Sequence, residues 1–326
     1  MANYQLAISN IAWLKDDDEA VYTAMQQAGF TGLELAPTRI FSEAPYENLT
    51  SALLFGGYLK NRWGFSVPSL QSIWYGQKGN IFNPTDTEPL LDYTAQAFQF
   101  AHSLNCPSLV FGCPKNRMRP LGGNDAAAEA FFVQAGNLAA RYGVHLALEA
   151  NPPMYTNYLN NTADAFALVK RLDNPGLSVN FDLSTVLAQG EKLQTFIDDM
   201  QYVSHVHISE PGLAPIQKRP EHRELALLLG AVGGGVLFFT AFSPFLRPVW
   251  DFWVDTLAFL LHLTAIPLRG AENLCKKIGR WGKNLFYFAG KCYTIGKSGY
   301  TRPFYKGGSR HGQNRKSRKN APARQV

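Results

Sequence analysis

Cysteine is scarce in this chain, with Cys106, Cys113, Cys275 and Cys292 the four among 326 residues. None stands in CxxC spacing and their density is far below that of a disulfide scaffold, so they read as reduced core or surface thiols, not bridges or metal ligands. The opening residues, MANYQLAISNIAWLKDDDEA, lack the basic flank, apolar core and small-residue cleavage site of a secretion signal, so a cytoplasmic start is expected. Gly-rich phosphate loops are missing too. The segment LGGND has neither the Lys-Ser/Thr of a P-loop nor the spacing of a dinucleotide fingerprint, which sets nucleotide chemistry of those types aside. Acidic residues almost vanish in the C-terminal part. Up to residue 229 there are 15 Lys+Arg against 22 Asp+Glu, whereas residues 230–326 hold 16 basic residues and only 3 acidic ones. Residues 225–246 carry no charge at all, so the overall net charge of +6 describes neither part.

What is present in the first part is alternation. From residue 4 to residue 210, short apolar segments rich in Val, Ile, Leu and Phe alternate with longer amphipathic ones, as in βα units around a parallel sheet. Strands are predicted at residues 5–9, 31–36, 65–73, 107–112, 144–150, 176–182 and 203–209. Helices are predicted at 19–29, 48–63, 88–104, 124–142, 162–172 and 191–200, with starts marked by Asn161-Thr162 and by the acidic cluster Asp16 to Asp18. The expected class is therefore α/β, a (β/α)8-type TIM barrel, but an incomplete one with seven βα units. After a helix beginning near Glu221 the chain runs GAVGGGVLFF where an eighth strand is due. The predicted organisation is a barrel lacking its eighth strand at 1–229, apolar membrane-associated helices at 230–268, and a basic amphipathic helix with a disordered tail at 269–326. The uncharged run is long enough to cross a bilayer core. A second apolar stretch, 249–268, contains Asp251, Asp255 and His262 and suits the membrane interface or a helix pair. The basic tail would be drawn to an anionic membrane surface, and nucleic acid is disfavoured because no base-reading module is visible.

Catalytic groups in such a barrel sit at the C-terminal ends of strands. Three predicted ends carry metal-ligand residues: Glu149 in HLALEANP, Asp182 in SVNFDLST and His207 in SHVHISE. Strand alternation puts Asn180 with Asp182 and His205 with His207 on common faces. Two carboxylates and an imidazole on consecutive strands suit one divalent cation such as Mn²⁺, Mg²⁺, Co²⁺ or Zn²⁺. Taken singly, a strand-end carboxylate is more often a helix N-cap and a lone His a hydrogen-bonded core residue. The cluster carries the metal reading. Other strand ends offer Glu34 in GLELAP, Gln71 in SLQSIWYG, and Lys115, Asn116 and Arg117 in LVFGCPKNR. A Lys-Asn-Arg group suits a phosphate, carboxylate or polyhydroxylated substrate, and an exposed polar turn is its alternative. Cys113 fits a small buried thiol better than a nucleophile.

Through SLQSIWYG, LVFGCPKNR, LEANP, NFDLST and HVHISEP with APIQKRPEHRELALLL, in that order, residues 1–229 resemble the xylose isomerase-like TIM-barrel superfamily. The likeness is to its sugar phosphate isomerases and epimerases, in a group that also holds the AP endonuclease family 2 barrels. It implies a divalent metal held by Glu, Asp, His and a final Glu on strands five to eight, with two carboxylates relaying a proton beside a carbonyl. Carried over, Glu149, Asp182 and His207 take the first three ligand places and Glu149 is the catalytic base. Glu34, Gln71, Lys115, Asn116, Arg117 and His222 form the substrate-binding set, for a small sugar or sugar phosphate. Two departures follow: Thr185 stands where many relatives have a His, and the last strand with its closing Glu has no counterpart. Losing an acid/base group costs about 10²- to 10⁴-fold in rate, so little isomerase activity is expected. Phosphodiester cleavage would need more strand-end histidines. From about residue 228 the chain resembles the C-terminal region of YabQ-type spore cortex biosynthesis membrane proteins, through GAVGGGVLFF, FSPFLRPVWDFWVDTLAFLLHL and PLRGAENLCKKIGRWGKN. The alternative to an isomerase is thus a membrane-anchored spore-envelope assembly protein, or an artefactual fusion of the two. The expected location is a cytoplasmic barrel, membrane-associated through residues 225–268.

Overall fold

Parallel strands and covering helices alternate along the chain as the periodicity predicts. The computed structural model describes residues 4–231 and 237–241. Its strands are β1 (Tyr4–Ser9), β2 (Gly32–Glu34), β3 (Ser69–Leu70), β4 (Ser108–Phe111), β5 (His145–Glu149), β6 (Leu177–Asp182), β7 (Val203–Ile208) and β8 (Leu237–Ala241). The α-helices are α1 (Asp18–Gln27), α2 (Pro37–Ile40), α3 (Leu49–Tyr58), α4 (Pro84–Ser103), α5 (Asp125–Tyr142), α6 (Thr162–Leu172), α7 (Leu183–Gln189) and α8 (Pro220–Ala231). The sheet order is β2-β1-β8-β7-β6-β5-β4-β3, and bridges Gly32↔Ser66 and Leu35↔Leu70 join its two ends. All seven predicted strands form. β3 is shorter than predicted, because Pro68 directly before it has no N–H to give to a ladder.

The eighth strand, expected to be missing, is present. Leu237–Ala241 pairs with β1 from Tyr4↔Leu237 to Ile8↔Ala241 and with β7 at Val206↔Phe239, His207↔Thr240 and Ile208↔Ala241. Strands of a parallel barrel are commonly covered on both faces and read as continuous apolar runs, and LFFTA shows no alternation and follows the apolar end of α8 in an uncharged stretch of sequence. Helix end and strand together mimic one uncharged span. Of the run 225–246, residues 225–231 lie in α8 and 237–241 in β8, and among the described residues no helix is long and apolar enough to cross a membrane. α8 also continues through residue 229, the predicted domain boundary. The apolar stretch 249–268, the basic region 269–326, Cys275 and Cys292 lie outside the described residues, as do the membrane-surface and spore-protein readings drawn from them.

Asparagine caps set several helix starts. The side chains of Asn83, Asn124 and Asn161 accept from backbone N–H groups in the first turns of α4, α5 and α6. The helix predicted at 191–200 is instead a 3₁₀ helix, Leu193–Tyr202, and α7 comes earlier, starting directly at the end of β6. One close approach locks α5 against β6. A Cβ on Gly176 would lie 1.9 Å from the Gly136 carbonyl oxygen, a backbone atom that no rotamer change can move. Gly176→Ala is accordingly expected to destabilise the fold by about 1–3 kcal/mol or more. An unchanged urea midpoint would show that the two backbones are not in contact.

Candidate active site

Barrel interiors are usually filled by branched apolar side chains. Here Glu34, Ser69, Asn180, His205 and His207 are all 3% exposed or less. Register brings them together: Glu149 pairs with Asn180, Asn180 with His205, and Asp182 with His207. Alternate residues of β6 and β7 therefore occupy successive depths below the mouth.

His207 is the centre. Its Nδ1 lies 2.9 Å from Glu149 Oε1 and its Nε2 lies 3.0 Å from Glu34 Oε2, so both ring nitrogens face carboxylates. Burial alone would lower its pKa, but the Glu34 charge and the hydrogen bonds to both carboxylates raise it to about 10. Glu34 Oε2 also accepts from Ser69 Oγ at 2.6 Å and lies 3.0 Å from His205 Nε2. Burial would raise the Glu34 carboxyl, yet His207 and His205 hold it well below the usual carboxylate range. Glu149 accepts from Asn180 Nδ2 at 2.6 Å and from Asn151 Nδ2 at 3.1 Å. Burial pushes its pKa up, and the hydrogen bond and charge of His207, with Asn151 and Arg117, bring it below the ordinary value. The Glu149 side chain is 13% exposed and that of Glu34 is 0%, so Glu149 opens toward the mouth while Glu34 belongs to the floor.

Asp182 does two things. It caps α7, with Oδ1 accepting from the Ser184 N–H at 2.9 Å and Ser209 Oγ at 2.8 Å, and Oδ2 from Ser184 Oγ at 2.7 Å and Thr185 Oγ1 at 3.3 Å. Burial, and next the Glu149 charge, raise its carboxyl above the ordinary range. Two neighbouring carboxyls are thereby pushed in opposite directions, the arrangement that separates an acid from a base.

Of the predicted metal ligands, Glu149 and His207 are in direct contact, while the oxygens of Asp182 serve its helix cap. Among the described residues, the His and carboxylate groups whose ligand atoms all lie within 4.8 Å of one another are Glu34, His205 and His207. Glu34, expected in the substrate-binding set, is fully buried beside His205 and His207. The Lys-Asn-Arg group splits three ways because a 3₁₀ helix, Pro114–Arg117, turns successive residues about 120° apart. Lys115 is exposed, and the Asn116 amide donates to the Gln77 and Gly79 carbonyls at 3.2 and 2.9 Å. Arg117 is fully buried, and its Nε, Nη1 and Nη2 have no hydrogen-bond partner among the described residues. Burial draws its pKa down to about 10 against the opposing charge of Glu149. Gln71 is buried and donates to Ser9 Oγ. His222 is buried on α8, with its pKa lowered by burial against the charge of Glu210. Cys113 remains a thiol, pushed up to about 12 by burial. Asn180, Ser69 and His205 were not predicted as functional. Their one signal was position, since Asn180 and His205 each lie two residues before a predicted ligand on the same strand face.

The raised pKa of His207 fixes a sign for stability. Its contribution is complete below about 6.5, the usual histidine value, and is lost as pH rises through about 10. The metal-free protein is expected to lose urea resistance across that window, and His207→Gln to flatten the loss. An alkaline limb equally steep in that variant would place its origin elsewhere.

The family described as Xylose isomerase-like TIM barrel matches residues 22–248, and the chain belongs to it. The match continues past residue 229 and through β8. No curated protein matches the chain. Among solved structures, 3-keto-D-glucoside 4-epimerase from E. coli is 18% identical with a TM-score of 0.61, covering 79% of this chain and 99% of its own. D-psicose 3-epimerase from Clostridium cellulolyticum H10, solved with D-tagatose, is 14% identical with a TM-score of 0.62, covering 86% and 98%. An IOLI protein with a bound zinc atom is 13% identical with a TM-score of 0.57, covering 85% and 97%. At these identities the likeness is one of fold.

Proposed function

We propose that this barrel is a metal-dependent sugar or sugar phosphate isomerase or epimerase. The observation that carries the reading is Glu149, an ionised carboxylate at the mouth end of β5, held by the His207 imidazole and facing an Asp182 whose carboxyl is raised. Proton removal from a carbon beside a carbonyl needs an ionised base, and return of a proton to the enediolate oxygen or carbon needs an acid. Glu149 is the base and Asp182 the acid. His207 and Arg117 keep Glu149 ionised near neutral pH. Carboxylates and imidazoles fit a divalent cation, with Glu149, Asp182 and His207 the set implied by the family resemblance. When bound, Mn²⁺, Mg²⁺, Co²⁺ or Zn²⁺ would supply Lewis-acid polarisation of the substrate oxygens. A zinc atom in one structural neighbour and sugar epimerase names on two others are consistent with this reading.

One ground for expecting inactivity was an open ring, and β8 removes it. The strand sequence LFFTA still carries no carboxylate, so the second acid/base group has to come from elsewhere, and Asp182 is the proposed source. Arg117, a buried cation without an acceptor among the described residues, favours an anionic substrate, so sugar phosphates are preferred over free sugars. The test is a panel of ketoses, aldoses and their phosphates incubated in D₂O with each cation. Deuterium entering the carbon beside the carbonyl supports the reading. A panel with neither exchange nor isomerisation overturns it.

A further inference from the structure

We propose that Gly112 is a positioning residue for Glu149, its missing side chain leaving the seat that the Glu149 carboxylate occupies at the end of β5. The catalytic consequence rests on Glu149 as the base, and the test carries a readout that needs no substrate, so the two can fail separately. The first argument is contact. β4 and β5 pair from Ser108↔His145 to Phe111↔Leu148, and one further step in that register sets Gly112 beside Glu149. Residues opposite each other on neighbouring strands point to the same side of the sheet, so a side chain at 112 would compete with that of Glu149 for space. A Cβ on Gly112 would lie 2.8 Å from Glu149 Oε2, 3.9 Å from the Glu149 carboxyl carbon and 3.6 Å from Asn151 Oδ1.

The second argument is that the backbone gives no reason for a glycine here. Glycine is the usual choice where a chain must enter the left-handed region. At the end of β4 that conformation falls to Cys113, at φ 36° and ψ 51°, directly before the 3₁₀ helix Pro114–Arg117, and Gly112 has no positive φ. An alanine could adopt its backbone, and Gly→Ala at a compatible position ordinarily stabilises by restricting the unfolded chain. What alanine cannot do is leave Oε2 in place. A carbon–oxygen contact is comfortable from about 3.3 Å, so Oε2 would have to retreat from 2.8 Å by about 0.5 Å. The obstacle is the far end of a side chain, unlike the backbone oxygen that faces Gly176, so the fold can accept the methyl while the carboxylate gives way. A carboxylate is planar, and moving Oε2 disturbs Oε1, which faces His207 Nδ1 at 2.9 Å and accepts from Asn180 Nδ2 at 2.6 Å.

The test compares Gly112→Ala with Gly57→Ala in the full-length chain. Gly57 lies on α3, and a Cβ there would meet nothing within 4 Å, so it controls for the change of residue type. The proton NMR signal of His207 Nδ1–H, assigned by its loss in His207→Gln, is expected to shift or vanish in Gly112→Ala and to stay in Gly57→Ala. Turnover of Gly112→Ala should fall by about 10- to 100-fold with KM within about threefold, because small displacements of a reacting group are costly in rate. Its urea midpoint should stay at or above that of the parent. A His207 signal at the parent position in Gly112→Ala, or turnover within about threefold of an active parent, overturns the proposal. So does a urea midpoint lowered as far as in Gly176→Ala, which would make residue 112 a packing position. A parent with neither turnover nor exchange refutes the base assignment, and the His207 signal then decides the role of Gly112 alone.

Discussion

Glu149→Gln is expected to lower the turnover number on the preferred sugar by about 10²- to 10⁴-fold, the usual worth of a positioned general base, with a much smaller change in KM. Glutamine keeps the shape of the side chain, and its carbonyl oxygen can still accept from Asn180, which holds Oε1 at 2.6 Å, while the Oε2 that accepts from Asn151 at 3.1 Å becomes an amide nitrogen. What disappears is the proton acceptor. His207 also loses one of its two carboxylates and keeps Glu34, so its pKa falls from about 10 while the ring stays on the floor. Deuterium exchange at the substrate carbon should vanish together with turnover. Asp182→Asn preserves the cap of α7 and removes only the acid, so it separates the chemical role of Asp182 from its structural one. Turnover by Glu149→Gln within about threefold of the parent would mean that another group takes the proton.

How far this site was legible in the sequence depended on sequence distance. Glu149 and Asp182 end β5 and β6, His207 stands one residue before the end of β7, and the register pairs Glu149 with Asn180 and Asp182 with His207. The contact between Glu34 and His207 crosses the barrel and joins residues 173 apart in the chain, and no local pattern announces it. Depth was equally hidden. His205 and His207 share a face, but which of them is buried at 0% and which meets a mouth carboxylate depends on the register between β6 and β7, which shifts at Val179/Asn180. Asp182 illustrates competing uses of one residue type, since strand-end carboxylate and helix N-cap are compatible roles and it fills the second in full. The strands and most helices were readable because burial imposes a period on them. β8 was not, because the sequence LFFTA shows no alternation and so offers no period to read.

Phe239→Pro should therefore unfold or nearly unfold the barrel. Phe239 pairs with Leu6 of β1 on one side and with Val206 of β7 on the other, so it stands in the middle of the ring and not at an edge. Proline there removes an N–H from the ladder and sets its ring against a neighbouring strand, which restricts it to edges and bulges in natural sheets. An unmade buried hydrogen bond alone costs about 1–3 kcal/mol, and the steric conflict adds to it, for a total on the order of 3 kcal/mol or more. A domain of this kind has about 5–15 kcal/mol in all. The damage would reach the site, because His207 is in register with Thr240 on the same pair of strands, and zinc affinity should fall with the unfolding midpoint. The competing reading of residues 225–246 as a bilayer span predicts something different. A proline in a membrane helix outside the barrel would leave the midpoint and the metal untouched. Guanidinium unfolding followed by tryptophan fluorescence, with zinc competition on the same samples, distinguishes them, and two unchanged curves would remove Leu237–Ala241 from the barrel wall.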